Sequence, residues 1–134
     1  MCIRDRFYKK AFGAKETMKF MMPDGRIGHA QMQIGNSVIM LSDEFPDYGF
    51  KSPQSLGGAA FKIHLYVDDV DAFFQKALAA GCKELYPIMD QFWGDRSGQL
   101  EDPFGHVWFV ATHKEDVSME EMYKRMEAMS AECS

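Results

Sequence analysis

The residues best suited to chemistry lie in one stretch, residues 90–113, which reads DQFWGDRSGQLEDPFGHVWFVATH. Aromatic and ionisable side chains are mixed along it: Phe92, Trp93, Phe104, Trp108 and Phe109 stand among Asp90, Asp95, Arg96, Asp102, His106 and His113. Residues 102–105 (DPFG) are a turn signal, and residues 107–110 are all apolar, which indicates a buried strand. The stretch predicts a hairpin whose side chains either fill a core or line a pocket.

Arg96 has the sequence setting of a pocket residue. It follows Asp95 and lies close to Trp93, which favours a pocket wall over an ordinary surface loop. Asp95 and Arg96 could hold a polar group of a ligand while Trp93 and Tyr66 stack on its flat part. The alternative is an internal ion pair that fixes the loop. Both interpretations are compatible with the sequence.

Two histidines fall on predicted strands. His64 shares a strand face with Tyr66 because alternate residues of a strand point the same way, and it is either a pocket histidine or a satisfied core one. His29 shares a face with Gln31 and Gln33, which either lines a cleft or contacts water. The sequence carries no motif for a nucleophilic Ser or Cys, a phosphate-binding loop or a dinucleotide site.

Length, net charge and cysteine content indicate which classes of protein the chain can belong to. The 134 residues suit one domain, and a net charge of −5 without a basic cluster gives no reason to expect nucleic-acid or membrane partners. No apolar run is long enough to span a bilayer. Cys2, Cys82 and Cys133 are widely spaced and form no CxxC, which argues against disulfides and a cysteine zinc site. Reduced thiols of this kind are typical of a cytoplasmic protein, which is the predicted location.

Hydrophobic periodicity and turn residues predict the order of elements. We expect helices over 7–14, from Asp69 to Gly81 and over 118–132, and strands over 17–22, 28–34, 37–41, 61–67, 83–89 and on both sides of the DPFG turn. Residues 42–60 form a loop in which Tyr48 and Phe50 could fold over a pocket. The last helix carries a stripe of Met119, Met122, Met126 and Met129, which packs on its own sheet or on a second subunit.

The chain contains an internal repeat. FYKKAFGA at 7–14 matches FFQKALAA at 73–80, and IGNSVIML at 34–41 matches FGHVWFVA at 104–111. Each copy is a helix followed by three strands, and the second copy has a leading strand over 61–67. The repeat predicts an equivalent strand before Phe7, which the sequence does not contain.

Five segments occur in fixed order between residues 7 and 113, within a resemblance that extends to Met129: FYKKAFGA, PDGRIGHAQMQIGNSVIMLSDE, KSPQSLGG, HLYVDDVDAFFQKALAAG and DQFWGDRSGQLEDPFGHVWFVATH. Together they resemble the PhnB-like branch of the vicinal oxygen chelate superfamily, which includes glyoxalase, bleomycin-resistance and extradiol-dioxygenase proteins. The resemblance implies an α+β fold of paired βαβββ modules whose strands form an open U-shaped sheet. One glyoxalase-like domain over 1–134 would contain module one (7–44), a linker (45–60), module two (61–113) and a C-terminal helix (118–132).

Metal-dependent members of the superfamily take ligands, usually His and Glu, from the first and last strands of each module. His64 matches one such position, whereas the position of the usual Glu is occupied by Phe109. The matching end of module one offers Ile39 or Met40, neither of which binds a hard metal ion. We therefore expect no metal and no other cofactor, with a divalent metal only if His64 works with a ligand on a strand that this sequence lacks.

The resemblance implies a small-molecule cleft, in which we expect His64, Tyr66, Trp93, Asp95, Arg96 and Trp108 to share one concave space. The first hypothesis is a ligand-binding protein of the bleomycin-resistance type that acts as a homodimer, with no assigned reaction or catalytic residue. The alternative is a metal-dependent lyase, isomerase or dioxygenase that uses His64.

The missing strand has consequences of its own. Residues 1–6 (MCIRDR) follow no period, and we do not assume that they are native. Without a leading strand, the chain is expected to be marginally stable and to associate through an unpaired sheet edge. The natural parent should be longer by roughly 15 to 20 residues, enough for a strand and the start of the helix.

Overall fold

The computed structural model of the chain describes residues 3–132. Its helices are α1 Ile3–Phe12, α2 Pro53–Leu56, α3 Val70–Ala80 and α4 Met119–Glu132. Its strands are β1 Lys15–Met21, β2 Ile27–Ile34, β3 Ser37–Leu41, β4 Lys62–Tyr66, β5 Lys83–Asp90, β6 Asp95–Glu101 and β7 Val107–His113. Each predicted helix and strand is present, with bounds that differ by a few residues.

The strands form two open sheets. β1, β2 and β3 make an antiparallel sheet of three strands, and the second sheet has four strands in the order β4-β7-β6-β5. Within the second sheet β4 runs parallel to β7, because α3 and two further strands connect them, while the other pairs are antiparallel. Within residues 3–132 no strand precedes α1, so the three-stranded sheet lacks a counterpart of β4. The expected α+β fold of two related modules with a C-terminal helix is confirmed.

Both modules contribute to one hydrophobic core. α1 supplies Tyr8 and Phe12, the three-stranded sheet supplies Met32, and α3 supplies Phe74. Trp108 of β7 joins them, and the rings of Phe12 and Trp108 lie 4.5 Å apart. The helix-facing sides of both sheets are therefore buried, and their other sides remain exposed.

The first helix starts earlier than the sequence indicated. Residues 3–6, which we did not assign to the helix, form its first turn. The reason is electrostatic: the carboxylate of Asp5 is fully buried and lies 2.9 Å from Nζ of Lys19 on β1. Arg4 pairs with Asp43, just beyond β3. Met1 and Cys2 lie outside the described residues.

A buried carboxylate joins the two modules. Oδ2 of Asp102 accepts hydrogen bonds from the Tyr8 hydroxyl at 2.7 Å and from Nε1 of Trp108 at 2.9 Å. Its Oδ1 accepts from the backbone N–H groups of Phe104 and His106, which closes the turn between β6 and β7. Burial, together with the negative charge of Asp102, raises the pKa of the Tyr8 phenol far above its ordinary value, so Tyr8 stays a donor. One side chain thus fixes the hairpin turn and anchors α1 to it.

The segment between the modules has local structure. It contains a 3-10 turn, Pro46–Tyr48, and the short helix α2, which is capped by the hydroxyl of Ser52. Gln54 in α2 donates a hydrogen bond to the carbonyl of Pro103 in the β6–β7 turn at 2.9 Å. The segment is therefore tied to module two.

The methionine stripe of α4 is largely exposed, since Met119, Met126 and Met129 all face solvent in the single chain. Packing of this stripe on the chain's own sheet, one of the two expected arrangements, is not observed for these three residues; packing on a second subunit stays a prediction. No helix within residues 3–132 combines the length and apolarity that crossing a membrane requires.

The substitution Asp102→Asn tests the joint between the modules. An amide presents one acceptor oxygen instead of two, so the donors that bond to one of the two carboxylate oxygens would face an NH₂ group instead. We expect the free energy of unfolding to fall by about 3 kcal/mol in urea denaturation. Asp24→Asn, which removes a carboxylate from an exposed ion pair with Arg26, should leave the transition nearly unchanged. Equal effects of the two substitutions would show that Asp102 does not hold the fold together.

Candidate functional site

The four-stranded sheet has one buried and one open face, and alternation assigns each residue to one of them. His64 and Tyr66 of β4 point to the open side, where Phe109 of β7 lies directly beside His64 in the strand register. On β6, Asp95 and Gln99 share this side, opposite His113 and Phe109 respectively. The open face therefore carries aromatic, imidazole and carboxylate groups within a few ångströms of one another.

Trp108 and Arg96, which the sequence placed in the cleft, do not lie on this face, although Arg96 lines a groove together with Asp95. Trp108 is only 1% exposed and packs in the core between the sheet and α1, because its indole N–H bonds to the buried Asp102. Arg96 lies on the helix-facing side of β6 and forms two hydrogen bonds to Asp71 at the start of α3, at 2.8 and 3.0 Å. A third bond reaches Asp90. Arg96 is thus ion-paired with Asp71 and Asp90 and not with Asp95.

The aromatic rings of the open face form a continuous shelf. The ring of His64 stacks on Tyr66 with centroids 5.0 Å apart, and it meets Phe109 edge-on at 4.2 Å. The Trp93 ring lies 6.5 Å from that of Phe109 and contacts Phe92 on its other side. We call the set of His64, Tyr66, Trp93 and Phe109 the aromatic shelf. The structure thus brings together four of the predicted site residues, because Asp95 bonds to two of the shelf residues. The four are His64, Tyr66, Trp93 and Asp95.

Asp95 anchors the end of this shelf. Its Oδ2 accepts hydrogen bonds from the Tyr66 hydroxyl at 2.8 Å and from Nε1 of Trp93 at 3.1 Å. Its Oδ1 lies 2.9 Å from Nδ1 of His113, and Nε2 of His113 lies 2.7 Å from Asp116. The two aromatic rings are therefore held in fixed orientations by a carboxylate that is itself only 3% exposed.

The charges of this network support one another. Hydrogen bonds to Asp95 and then to Asp116 raise the pKa of His113, so the doubly protonated ring is favoured. Burial by itself would raise the pKa of Asp95, but hydrogen bonds from His113, Tyr66 and Trp93 outweigh it and lower that pKa below its ordinary value. The hydrogen bond to Asp95 also raises the pKa of Tyr66, which remains a phenol.

A polar groove of about 550 Å³ adjoins the Asp95 end of the shelf. Its walls are Asp90, Gln91, Gly94, Asp95, Arg96, Lys114 and Glu115. The carbonyl of Gly94 accepts hydrogen bonds from the backbone N–H groups of both Lys114 and Glu115, which draws the two segments together. Gly94 has φ +99°, and a Cβ there would collide with the Glu115 carbonyl. Only glycine suits this approach, which sets the floor of the groove.

Sequence reasoning missed Phe109 and His113 as residues of the open face. Residues 107–110 are apolar without alternation, so the pattern gave no sign of which side chains of β7 face outward. The available signal was the position of His113, four residues after Phe109 and hence on the same strand face.

The donor atoms near His64 do not fit a divalent metal. The neighbouring position on β7 presents the Phe109 ring, which offers no lone pair. In the part of the chain that the structure describes, no group of three or more His, Cys, Asp or Glu side chains is arranged to hold an ion. Cys82 is a buried thiol whose pKa burial raises to about 12, so it is not a ready nucleophile or ligand. Cys133 lies outside the described residues.

Comparison with known proteins identifies a family and similar proteins. The family model of the glyoxalase/bleomycin resistance protein/dioxygenase superfamily matches residues 6–110. An uncharacterised protein of Mycobacterium bovis is 46% identical over 123 residues, which are 90% of this chain and 81% of that protein.

Two solved structures show the same fold. Protein PA1353 from Pseudomonas aeruginosa has a TM-score of 0.65 at 23% identity, covering 85% of this chain and 90% of its own. The PhnB protein from Bacillus cereus has a TM-score of 0.58 at 19% identity, covering 80% and 86%. At these identities the likeness establishes the fold alone.

Titration of His113 tests the network at the end of the shelf. We expect its pKa above the ordinary 6.5, because both neighbouring carboxylates stabilise the protonated ring. The contacts of the ring are therefore complete at low pH and weaken as the pH rises through this pKa. Asp95→Asn and Asp116→Asn should each lower the pKa of His113, since both carboxylates bond to its ring. The pKa of His113 can be measured by following the NMR chemical shifts of its ring protons as a function of pH.

The matched control for this titration is Asp90→Asn, whose carboxylate faces Arg96 and not the histidine. It should leave the His113 titration unchanged. A His113 pKa at or below the ordinary value in the unaltered chain would mean that the network does not exist in solution.

Proposed function

Since the chain belongs to the glyoxalase/bleomycin resistance protein/dioxygenase superfamily, we propose that it binds a flat, aromatic small molecule on the open face of its four-stranded sheet. The observation that carries the proposal is the aromatic shelf, whose rings are held in place by Asp95 before any ligand arrives. No reaction is part of the proposal. The binding step is the function that the geometry supports best.

Pre-organisation is the physical reason for this preference. A ligand that stacks on rings already fixed by hydrogen bonds loses less of its binding energy to the ordering of side chains. Tyr66 is 57% exposed and so presents most of its ring to a partner. Aromatic pairs gain roughly 0.5–1.5 kcal/mol beyond the area that they bury, which favours a flat ring over an aliphatic chain.

Polar groups at the two ends of the shelf would orient the ligand. At one end the His113 ring lies between the carboxylates of Asp95 and Asp116, which favour its protonated form. At the other, Nζ of Lys62 donates to the side chain of Gln99 at 2.8 Å, beside Phe109 in the register. A ligand with a flat centre and hydrogen-bonding groups at its edges would satisfy both ends.

The side chains around His64 do not support the alternative of a metal-dependent enzyme. His64 is flanked by the rings of Tyr66 and Phe109, and among residues 3–132 no further His, Cys, Asp or Glu side chains complete a metal site with it. A binding protein that sequesters its ligand needs only the shelf.

A thermal-shift screen with a library of aromatic metabolites tests the proposal, followed by affinity measurements on the hits. Tyr66→Ala should weaken binding by roughly 10-fold, because it removes a stacking ring and one donor to Asp95. The control is Tyr123→Ala on α4, since Tyr123 is 56% exposed and Tyr66 57%. If Tyr66→Ala binds every hit as tightly as the control does, the ligand does not lie on the shelf.

Metal analysis of protein purified without an affinity tag addresses the alternative. With Phe109 beside His64, we expect no stoichiometric zinc, nickel, manganese or iron. Dialysis against a chelator should leave the thermal melting unchanged. A metal bound at one equivalent and lost upon His64→Ala would overturn this expectation and favour the enzyme.

A further inference from the structure

We propose that His113 is a proton-dependent clasp between the four-stranded sheet and segment 114–118, which leads into α4. Its Nδ1 lies 2.9 Å from Oδ1 of Asp95 on β6, and its Nε2 lies 2.7 Å from Oδ1 of Asp116 in the segment. The imidazole thus lies between a carboxylate of the sheet and a carboxylate of the segment. The clasp needs no ligand, so the inference goes beyond the proposed function and each can fail without the other.

The number of N–H groups on the ring determines how many carboxylates it can hold. An ionised carboxylate only accepts hydrogen bonds, and a neutral imidazole has one N–H and one bare nitrogen, whereas the protonated ring has two N–H groups. Only the protonated ring can therefore donate to Asp95 and Asp116 together. When it loses a proton, a nitrogen lone pair faces one of the two carboxylates at less than 3 Å, and that contact becomes repulsive.

Asp116 is the partner that separates. The side chain of Asp95 is only 3% exposed and also accepts hydrogen bonds from Tyr66 and Trp93, so its position is fixed. The side chain of Asp116 is fully exposed, and water can replace the histidine as its partner. The neutral ring therefore keeps its N–H on Asp95, and the segment is released.

The end of the segment has little else to hold it to the sheet. The backbone N–H groups of Lys114 and Glu115 donate to the Gly94 carbonyl at 2.9 and 3.0 Å, which fixes the first two residues. For residues 116–118, the contact with His113 is the one side-chain hydrogen bond to the sheet in the part of the chain that the structure describes. Loss of this contact should therefore be visible as motion of these three residues.

The charges that face the imidazole set the direction of the pH dependence. β6 presents Asp95 and the segment presents Asp116, while Glu115 is paired with Arg125 of α4 and β4 contributes only the phenol of Tyr66, bonded to Asp95. Hydrogen bonds to Asp95 and then to Asp116 raise the pKa of the ring above its ordinary 6.5. The clasp is therefore complete below the ordinary value and is lost as the pH rises through the raised one.

The clasp also acts on the polar groove at the Asp95 end of the shelf. Lys114 and Glu115 line that groove, and they belong to the same segment as Asp116. When Asp116 is released, this wall of the groove is less firmly fixed. Access to the groove should therefore increase as the ring loses its proton.

Nitrogen-15 relaxation of the backbone amides of residues 116–118 tests the clasp. At pH values below the titration of the His113 ring we expect order parameters of about 0.85, which are typical of a rigid backbone, and above it values under about 0.6. The midpoint of the change should coincide with the titration of the ring protons. Order parameters that stay constant across this titration would overturn the proposal.

Three variants distinguish the clasp from a general effect of pH. Asp116→Asn should keep residues 116–118 ordered on both sides of the titration, because an amide can accept from the protonated ring or donate to the neutral one. His113→Gln, which carries no charge at any pH, should leave them mobile throughout. His106→Gln is the matched control, since it removes another histidine and should preserve the pH dependence of the unaltered chain.

Thermal melts confirm that each variant is folded, and Asp116→Asn changes only a fully exposed side chain. If Asp116→Asn keeps the full pH dependence, or if His113→Gln remains ordered at low pH, the ring does not act as a clasp.

Discussion

The buried carboxylate of Asp102 is the interaction on which the rest of the structure depends. It receives four hydrogen bonds, from the phenol of α1, from the indole of β7 and from two backbone N–H groups of the hairpin turn. A buried carboxylate is tolerated only when its lone pairs are satisfied in this way. Since Trp108 must point inward to reach it, Phe109 and His113 must point outward on the same strand. The position of one buried charge thereby decides which face of the sheet can meet a ligand.

Because Phe109 points outward, the open face of the four-stranded sheet is largely aromatic. Phe109 occupies the position next to His64 where metal-dependent relatives are expected to carry a carboxylate, and it turns a possible ion site into part of a stacking surface. Asp95, in contrast to Asp102, accepts hydrogen bonds from Tyr66 and Trp93 and so orients their rings. The two aspartates therefore have different roles: Asp102 connects the modules, and Asp95 orients the rings of the open face.

Much of the fold could be predicted because its signals are local. Asp69 caps α3, glycines mark turns, and the repeat reveals two modules that share a plan. The apolar run of β7 did not by itself indicate which of its side chains face outward, because it lacks alternation and Trp108 is drawn inward by Asp102. Arg96 was misplaced for a similar reason: its partner Asp71 is 25 residues away in the chain and comes close only when α3 packs on the sheet. Local sequence patterns identify helices, strands and turns. Which charged side chains pair with one another depends on how these elements pack in the folded chain.

The most direct test of the account uses the two tryptophans of the chain as reporters for the two sides of the sheet. Protein labelled with 5-fluorotryptophan should give two fluorine NMR resonances, which the variant Trp93→Phe assigns. On titration with a flat aromatic ligand found by thermal shift, the account predicts that the Trp93 resonance moves while that of Trp108 stays in place. A ligand that binds tightly and moves the Trp108 resonance, or neither one, would contradict the claim that the open face of the four-stranded sheet is the binding surface.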